Sequence, residues 1–147
     1  MTSIISKTLL VFAVCLTSCN DTDPENIIPE PNEISAVAKT YYIDATNGND
    51  ENTGTSKTLA WKTLSKVNSK TYIADDKILF KRGEVWNGQL LLKGSGSKAK
   101  PITVDAYGSG NKPIFNGGGV TANNGTTVRL KNGSYWEINN LEITNTN

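Results

Sequence analysis

Short apolar stretches separated by polar turns dominate the chain from residue 40 onward. The first is Thr40–Asp44, a run of aromatic and β-branched residues, and a cluster rich in Asn, Gly and Asp follows at Asn47–Thr55. Runs of this kind, bounded by turn residues, predict β-strands. The same pattern predicts further strands at Lys77–Phe80, Val85–Leu92, Ile102–Tyr107, Pro113–Phe115, Thr127–Leu130, Tyr135–Ile138 and Leu141–Thr144.

One stretch, Ala60–Lys70, has the spacing of a helix instead. Trp61, Leu64 and either Val67 or Asn68 recur every three to four residues and form one apolar stripe. Because the other predicted elements are strands, the pattern predicts an all-β fold that carries a single short helix.

Two β architectures fit short strands with closely spaced turns. One is a sandwich or barrel, and the other is a parallel β-helix, in which successive coils stack on one another. The stack is favoured because several strands carry only two or three apolar residues before a corner, and because stacked Asn side chains at corners can form hydrogen-bonded ladders. Ordinary turn chemistry explains the same residues, so both architectures stay open on this evidence. The corner residues are Asn116, Asn132, Asn139, Asn140 and Asn145.

The first 18 residues have the features of an export signal. Lys7 precedes the apolar run Thr8–Leu16, which is too short to span a bilayer as a permanent helix. The run leads into Leu16-Thr17-Ser18-Cys19, which resembles a bacterial lipobox, where the Cys is acylated and becomes the new N-terminus. We therefore predict that residues 1–18 are removed and that the lipid on Cys19 attaches the protein to a membrane. An ordinary signal peptide with an incidental Cys is the alternative.

Residues 19–39 form the next predicted segment, an extended tether. It begins with acidic residues and contains Pro24, Pro29 and Pro31, a composition that keeps a chain extended. Acidic residues directly after a lipidated Cys resemble the surface-export signal of Bacteroidetes-type lipoproteins. The expected location is the outer membrane, with display at the cell surface, although a soluble tether is also commonly acidic.

Charge and composition exclude several functions. The chain has 15 basic and 14 acidic residues, a formal net charge of +1, which gives no basic face for nucleic acid. It contains no His, so a Ser-His-Asp or Cys-His nucleophile and an HExxH zinc site are excluded within these residues. Catalysis here would depend on carboxylates, Lys, Arg, Tyr or a bound hard cation. Lys81 and Glu84 lie at a predicted turn and are expected only to solvate it.

Oxygen-bearing side chains are dense in the first turn cluster. We predict Asp44, Asn49 and Asp50 as metal ligands, because Ca²⁺ takes about six to eight oxygen ligands in proteins. The spacing does not match an EF-hand loop, and Asn/Asp/Gly clusters commonly form plain turns. Calcium is the only cofactor that the sequence suggests, and the turn interpretation stays open beside it.

A second group of candidates concerns sugar binding. Arg129 and Lys131 alternate on one predicted strand and therefore share a face, so we predict that they contact an anionic sugar. A plain solvated face is the alternative. Trp61 and Trp86 are residues of the type that stacks on sugar rings, but both lie beside apolar residues, which favours core packing. The sequence identifies no catalytic residue.

Four stretches of the chain resemble the opening coils of right-handed parallel β-helix proteins of the pectate-lyase-like superfamily. Relatives in that superfamily often have Gly-Asp where this chain has Asp75-Asp76. The stretches are YYIDATNGNDENTGTSKTLAWKTLSKVN, DDKILFKRGEVWNGQLLL, PITVDAYGSGNKPIFNG and YWEINNLEITN.

The resemblance implies a fold and a broad function. The fold is an all-β solenoid, a right-handed parallel β-helix over residues 40–147 with a short N-terminal capping helix, C-terminally truncated. The function is action on polysaccharide as a polysaccharide lyase or a glycoside hydrolase, with catalytic residues outside this chain, so that the chain alone is expected to be an inactive monomer. The alternative is a non-catalytic carbohydrate-binding or adhesion lipoprotein, since one fold hosts many functions.

Overall fold

Alternating apolar and polar residues form nine short strands and one helix in the computed structural model, which describes residues 36–119 and 125–147. The helix, α1 (Leu64–Ser69), lies between the first two strands. The strands are β1 (Thr40–Ile43), β2 (Lys77–Lys81), β3 (Val85–Asn87), β4 (Leu90–Lys93), β5 (Ile102–Tyr107), β6 (Ile114–Asn116), β7 (Val128–Lys131), β8 (Trp136–Ile138) and β9 (Glu142–Thr144).

The strands form three sheets, and every pair within them is parallel. Sheet 1 has the order β1-β2-β5-β8, sheet 2 has the order β3-β6-β9, and sheet 3 pairs β4 with β7. The chain passes from sheet 1 to sheet 2 to sheet 3 and then returns to sheet 1. We call one such circuit through the three sheets a passage. From β5 onward, each strand pairs with the strand that the preceding passage formed in the same sheet.

Inward-facing side chains of all three sheets meet in one core. Phe80 of β2 is at its centre, with its ring edge-on to Trp86 at 5.1 Å and to Phe115 at 4.7 Å between ring centroids. Trp61 and Trp86 are buried, which agrees with the core-packing interpretation of these two residues. Burial of such apolar area is the main stabilising term of a fold. The other fully buried strand residues are Ile43, Ile78, Leu90, Leu92, Ile102 and Val104.

The helix is shorter than the predicted range Ala60–Lys70. Trp61 cannot be helical because its backbone pairs with β1, where its N–H donates to the Tyr42 carbonyl at 2.9 Å and its carbonyl accepts from Asp44 at 2.8 Å. Thr63 then caps α1 by accepting the Lys66 N–H at 3.3 Å. Buried Leu64 confirms part of the apolar stripe.

The predicted strand Val85–Leu92 is divided in two. Gly88 has a φ of 104°, a conformation that L side chains rarely adopt, and it turns the chain from β3 in sheet 2 to β4 in sheet 3. The length of the apolar run therefore predicted one long strand where the structure has two, because a single glycine forms the corner between β3 and β4.

The predicted all-β class is confirmed, but the predicted right-handed β-helix is not. Residues 36–119 and 125–147 show small parallel sheets and no right-handed β-helix. The ladder argument was misleading because Asn132 and Asn140 adopt φ values of 50° and 53°, which is turn chemistry. The predicted lipid attachment site, Cys19, and the predicted tether up to residue 35 lie outside the described residues. Within the described ranges, no helix is long and apolar enough to cross a membrane.

Candidate functional site

A cluster of charged and polar side chains lies where three neighbouring strands of sheet 1 end. Lys81 ends β2, and Tyr107, its partner in register, ends β5. Asp44 directly follows β1, whose last residue, Ile43, pairs with Phe80. Parallel pairing therefore brings together side chains that are far apart in sequence. We call Asp44, Lys81, Glu84 and Tyr107 the strand-end cluster.

One ammonium group holds two carboxylates in this cluster. The Nζ of Lys81 lies 2.7 Å from Oδ2 of Asp44 and 3.4 Å from Oε1 of Glu84. The second oxygen of Glu84, Oε2, accepts the backbone N–H of Ala45. The side chain of Asp44 is only 8% exposed and that of Glu84 only 10%. The cluster thus ties the end of β1 to the turn after β2.

Hydrogen bonding keeps Asp44 ionised. Burial acts to raise its pKa, but the backbone N–H of Asn47 and the ammonium of Lys81 outweigh burial and lower the pKa to about 2. The same contact with Asp44 raises the pKa of Lys81. Both groups are therefore charged throughout the neutral pH range.

Tyr107 completes the cluster with an unusual hydroxyl. Burial raises its pKa to about 12, and the negative charge of Asp44 adds to this shift. Its hydroxyl oxygen is buried and has no hydrogen-bond partner among the described residues. The ring packs edge-on against Tyr42 at 5.2 Å between centroids, which explains its burial by aromatic packing.

The strand-end cluster is not the acid–base pair of a glycosidase. A hydrolase of that kind needs one protonated carboxyl to donate to the leaving group and one carboxylate as base or nucleophile. Asp44 is held ionised, and both oxygens of Glu84 are occupied by Ala45 and Lys81. The geometry supports a structural clamp.

Two of the three predicted metal ligands, Asp44 and Asn49, accept local hydrogen bonds. Oδ1 of Asp44 accepts the N–H groups of Thr46 at 3.0 Å and Asn47 at 2.7 Å, and Oδ1 of Asn49 accepts that of Glu51 at 3.0 Å. No group of three acidic or thiol side chains suited to a metal occurs in the described part of the chain. Calcium binding by these residues stays a prediction.

Asp50 has a structural task of its own. Its Oδ1 accepts the N–H of Lys62 at 2.8 Å and that of Thr63 at 3.0 Å, and its Oδ2 accepts the Thr63 hydroxyl. Burial acts to raise the pKa of Asp50, but the hydrogen bonds from Thr63 and Lys62 give a net lowering. Asp50 therefore fixes the chain that leads into α1.

Arg129 and Lys131 do share a face of β7, as their alternation predicts. Their partners on β4 are Leu91 and Lys93, while the intervening Leu130 pairs with buried Leu92. The two cations therefore point away from the core, and Lys93 adds a third positive charge beside Lys131. Both cations lie in sheet 3, whereas the strand-end cluster lies in sheet 1.

Sequence reasoning missed the roles of Lys81 and Glu84. Both were expected only to solvate a turn, whereas Lys81 contacts Asp44 across 37 positions in sequence. The signal that would have found this contact is the parallel register of β1 and β2, since Asp44 and Lys81 directly follow the paired residues Ile43 and Phe80.

Comparison with known proteins gives relatives of one chemical class. The chain is 37% identical over 130 residues to lacto-N-biosidase of Bifidobacterium longum subsp. longum, which covers 72% of this chain and 8% of that protein. It is 31% identical over 102 residues to alpha-1,3-galactosidase A of Akkermansia muciniphila, which covers 68% of this chain and 16% of that protein. The chain thus spans less than a fifth of the length of either curated relative. No protein-family model matches the chain.

Solved structures give the same result. Two crystal structures of GH136 lacto-N-biosidase from Eubacterium ramulus are similar to this chain, the selenomethionine derivative with a TM-score of 0.63 at 29% identity and the native protein with 0.61 at 27%. Each similarity covers 73% of this chain and 20% of the solved chain.

These relatives correct two predictions. The assignment to the pectate-lyase-like superfamily is wrong, because the structural neighbours are lacto-N-biosidases. The polysaccharide-lyase interpretation fails with it, and neither curated relative is named as an adhesion protein. Short strands and Asn-rich turns are features of local folding, and they do not determine which reaction a protein catalyses. The chain is similar, over about two thirds of its length or more, to enzymes that hydrolyse glycosidic bonds.

Proposed function

We propose that this chain is part of a glycoside hydrolase that acts on oligosaccharides and releases lacto-N-biose. The observation that carries the proposal is the 37% identity to a lacto-N-biosidase over 72% of the chain. The TM-score of 0.63 to a solved lacto-N-biosidase at 29% identity also supports it.

The described residues contribute a scaffold to that activity. The strand-end cluster is a structural clamp, and its carboxylates are committed to Lys81 and backbone N–H groups. We place the acid and base of the reaction outside this cluster, and we expect the 147-residue chain alone to be inactive.

The test is an assay of the protein made from its natural gene on nitrophenyl glycosides. We expect nitrophenol release from the β-lacto-N-bioside and none from the α-galactoside. Release only from the α-galactoside would instead favour the second candidate function, that of alpha-1,3-galactosidase A, to which the chain is 31% identical. Hydrolysis of neither substrate by a folded enzyme would contradict the proposal.

We also propose that the protein is exported and anchored by lipid on Cys19, in the outer membrane and facing outward, as a monomer. The support is the Lys7 and Thr8–Leu16 signal pattern and the Leu-Thr-Ser-Cys sequence at residues 16–19. The Cys19→Ala variant should lose incorporation of radiolabelled palmitate and leave the detergent phase. Cys15→Ala is the matched control, since Cys15 lies inside the apolar run, and it should keep the label.

Two binding proposals remain from the sequence. For calcium at Asp44, Asn49 and Asp50, millimolar CaCl₂ should raise the melting temperature of the chain, and Asp50→Ala should abolish the increase. For sugar contact, the assay uses the protein made from its natural gene. Replacing Arg129 and Lys131 together by Gln should raise KM on an anionic oligosaccharide without a change in kcat, whereas Lys112→Gln should leave both constants unchanged. A melting temperature that ignores calcium, or a KM that ignores the double variant, would remove the respective proposal.

A further inference from the structure

Asn-Gly pairs are chemically labile, and four of them lie in the described ranges. The pairs begin at Asn47, Asn87, Asn116 and Asn132, while Asn124 of a fifth pair falls outside those ranges. Asn is among the thermolabile residues of proteins, and a following glycine promotes its reaction because no Cβ obstructs the glycine nitrogen. Such a pair modifies itself without an enzyme wherever the local structure permits the reaction.

The reaction begins at the backbone nitrogen of the glycine. This nitrogen attacks Cγ of the Asn side chain, a new C–N bond forms, and the bond from Cγ to the side-chain nitrogen breaks. The leaving nitrogen takes up the proton that the glycine nitrogen loses, so ammonia departs and a cyclic succinimide remains. One water molecule then opens the ring at either carbonyl carbon and gives Asp or isoAsp. Water is therefore the only reactant that the protein does not itself supply.

Hydrogen bonds hold the attacking nitrogen in three of the four pairs. In each of them the glycine N–H donates to a backbone carbonyl, so this bond has to break before the nitrogen reaches the side chain. The reaction then waits for a local opening of the structure. The three bonds are Gly48 to Asp44 at 2.9 Å, Gly88 to Asn116 at 2.8 Å and Gly117 to Thr144 at 2.9 Å.

The pair Asn132-Gly133 lacks this restraint. Within the described ranges, the N–H of Gly133 donates to no hydrogen bond and the carboxamide of Asn132 has no hydrogen-bond partner. Both residues are exposed. Asn132 follows Lys131, the last residue of β7, and has a φ of 50°, so strand pairing does not fix its backbone. The attacking nitrogen, the carboxamide and water are therefore all accessible at this pair.

We propose that Asn132 is a site of spontaneous deamidation, which converts it to Asp or isoAsp in the folded protein. The site is independent of the proposed glycosidase activity. Either product adds a negative charge directly after Lys131. The isoAsp product also inserts one carbon into the main chain before Gly133, which packs closely against the Gly94 carbonyl. That carbonyl accepts the indole N–H of Trp136, so the modification acts on a contact between two passages.

The test compares Asn132 with Asn87 in one molecule. Asn87 is a matched control, because it is also exposed and followed by glycine, but Gly88 donates its N–H. Folded protein made from the natural gene is kept at mildly alkaline pH, where the glycine nitrogen loses its proton more readily. Peptides are then identified by mass spectrometry against synthetic Asp and isoAsp standards. We expect Asn132 to convert at least about tenfold faster than Asn87, since only Asn87 waits for local opening.

The same protein in concentrated urea separates the effect of structure from that of local sequence. Unfolding frees both glycine nitrogens, so the two residues should convert at similar rates there. Equal rates in the folded protein would overturn the proposal, because the hydrogen bond of Gly88 would then give no protection. A preference for Asn132 that is as large in urea as in the folded protein would overturn it as well, since the neighbouring residues alone would account for the difference.

Discussion

Lys81 joins two carboxylates that belong to different parts of the chain. Asp44 follows β1 and Glu84 lies in the turn after β2, and both are almost buried. A buried carboxylate that loses its partner is costly, because desolvation is then no longer offset by a hydrogen bond. Stability of the β1–β2 connection should therefore depend on this ammonium group.

Replacing Lys81 with Met should lower the free energy of unfolding by about 1–3 kcal/mol. The lysine side chain is one-third exposed (33%), so solvent screens the ion pair and keeps the loss below that of a fully buried pair. Urea denaturation followed by circular dichroism measures the change. The exposed Lys112 provides the control, since Lys112→Met should change stability by less than about 0.5 kcal/mol. Similar losses in the two variants would show that the cluster contributes nothing specific.

The lowered pKa of Asp44 gives a pH dependence of definite sign. The pKa is about 2 in the folded protein against an ordinary value of 3.8, so the ionised group stabilises the fold above pH 4 and this stabilisation is lost as the pH falls towards 2. Its full size is about 2 kcal/mol. The stability difference between the wild type and Asp44→Asn should therefore shrink between pH 5 and pH 2 in urea titrations. A constant difference over that range would contradict the assignment.

Asp44 also shows how far single residues can be predicted. Its position in a dense oxygen-rich turn was evident from the sequence, and the structure confirms a turn, with two local N–H groups on Oδ1. Its partner Lys81 was not evident, because the contact depends on which strands pair. Alternation within one strand needs no such knowledge, which is why the shared face of Arg129 and Lys131 was predictable.

Gly94 lies where three parts of the chain are in close contact. It follows β4, forms a parallel bridge with Tyr72, and its carbonyl accepts the indole N–H of Trp136 at 2.9 Å. Its φ is 114°, and a methyl group at this position would collide with the backbone carbonyl of Tyr72. Both conformation and space therefore require glycine here.

Gly94→Ala should destabilise the protein by about 2 kcal/mol or more, because backbone strain and a steric clash add. Gly108→Ala separates the two causes. Gly108 has a φ of 86° with open space around it, so it should lose only about 1 kcal/mol. Thermal or urea denaturation of both variants measures the difference, and equal losses would exclude the clash.

The elements themselves were only partly predictable. Strand positions followed from alternation, but the helix lost its first residues because Trp61 pairs with β1. One predicted strand was divided because Gly88 turns the chain between two sheets. Both differences arise from pairing with distant backbone, which local periodicity does not encode.

Burial differs sharply along sheet 1 and should produce a gradient of local stability. Strand β2 has neighbours on both sides, and its inward Ile78 and Phe80 are completely buried, whereas Ile138 of β8 is 37% exposed. Amides of β2 should therefore exchange with deuterium at least about a hundredfold more slowly than those of β8. Exchange measured by mass spectrometry on peptic fragments resolves the two strands, and uniform protection would contradict this gradient.

At the scale of the molecule, the sequence indicated the class of fold but not its relatives. Frequent Gly and Asn, short apolar runs and one short helix were sufficient for an all-β prediction. The superfamily was assigned wrongly because turn residues and strand lengths recur in unrelated proteins. The proposal of a glycoside hydrolase depends instead on 37% identity to a lacto-N-biosidase over 72% of the chain.

The three tryptophans tie different passages of the chain together, since each indole N–H donates to a backbone carbonyl: Trp61 to Asn52 at 2.9 Å, Trp86 to Lys62 at 3.0 Å and Trp136 to Gly94 at 2.9 Å. They also form a set of built-in optical reporters. Trp61 and Trp86 are 5% and 4% exposed, so their fluorescence is shielded from acrylamide, while half-buried Trp136 reports from the last strands. Quenching of intrinsic emission therefore distinguishes loosening of the outer passage from loss of the inner core, without any added label.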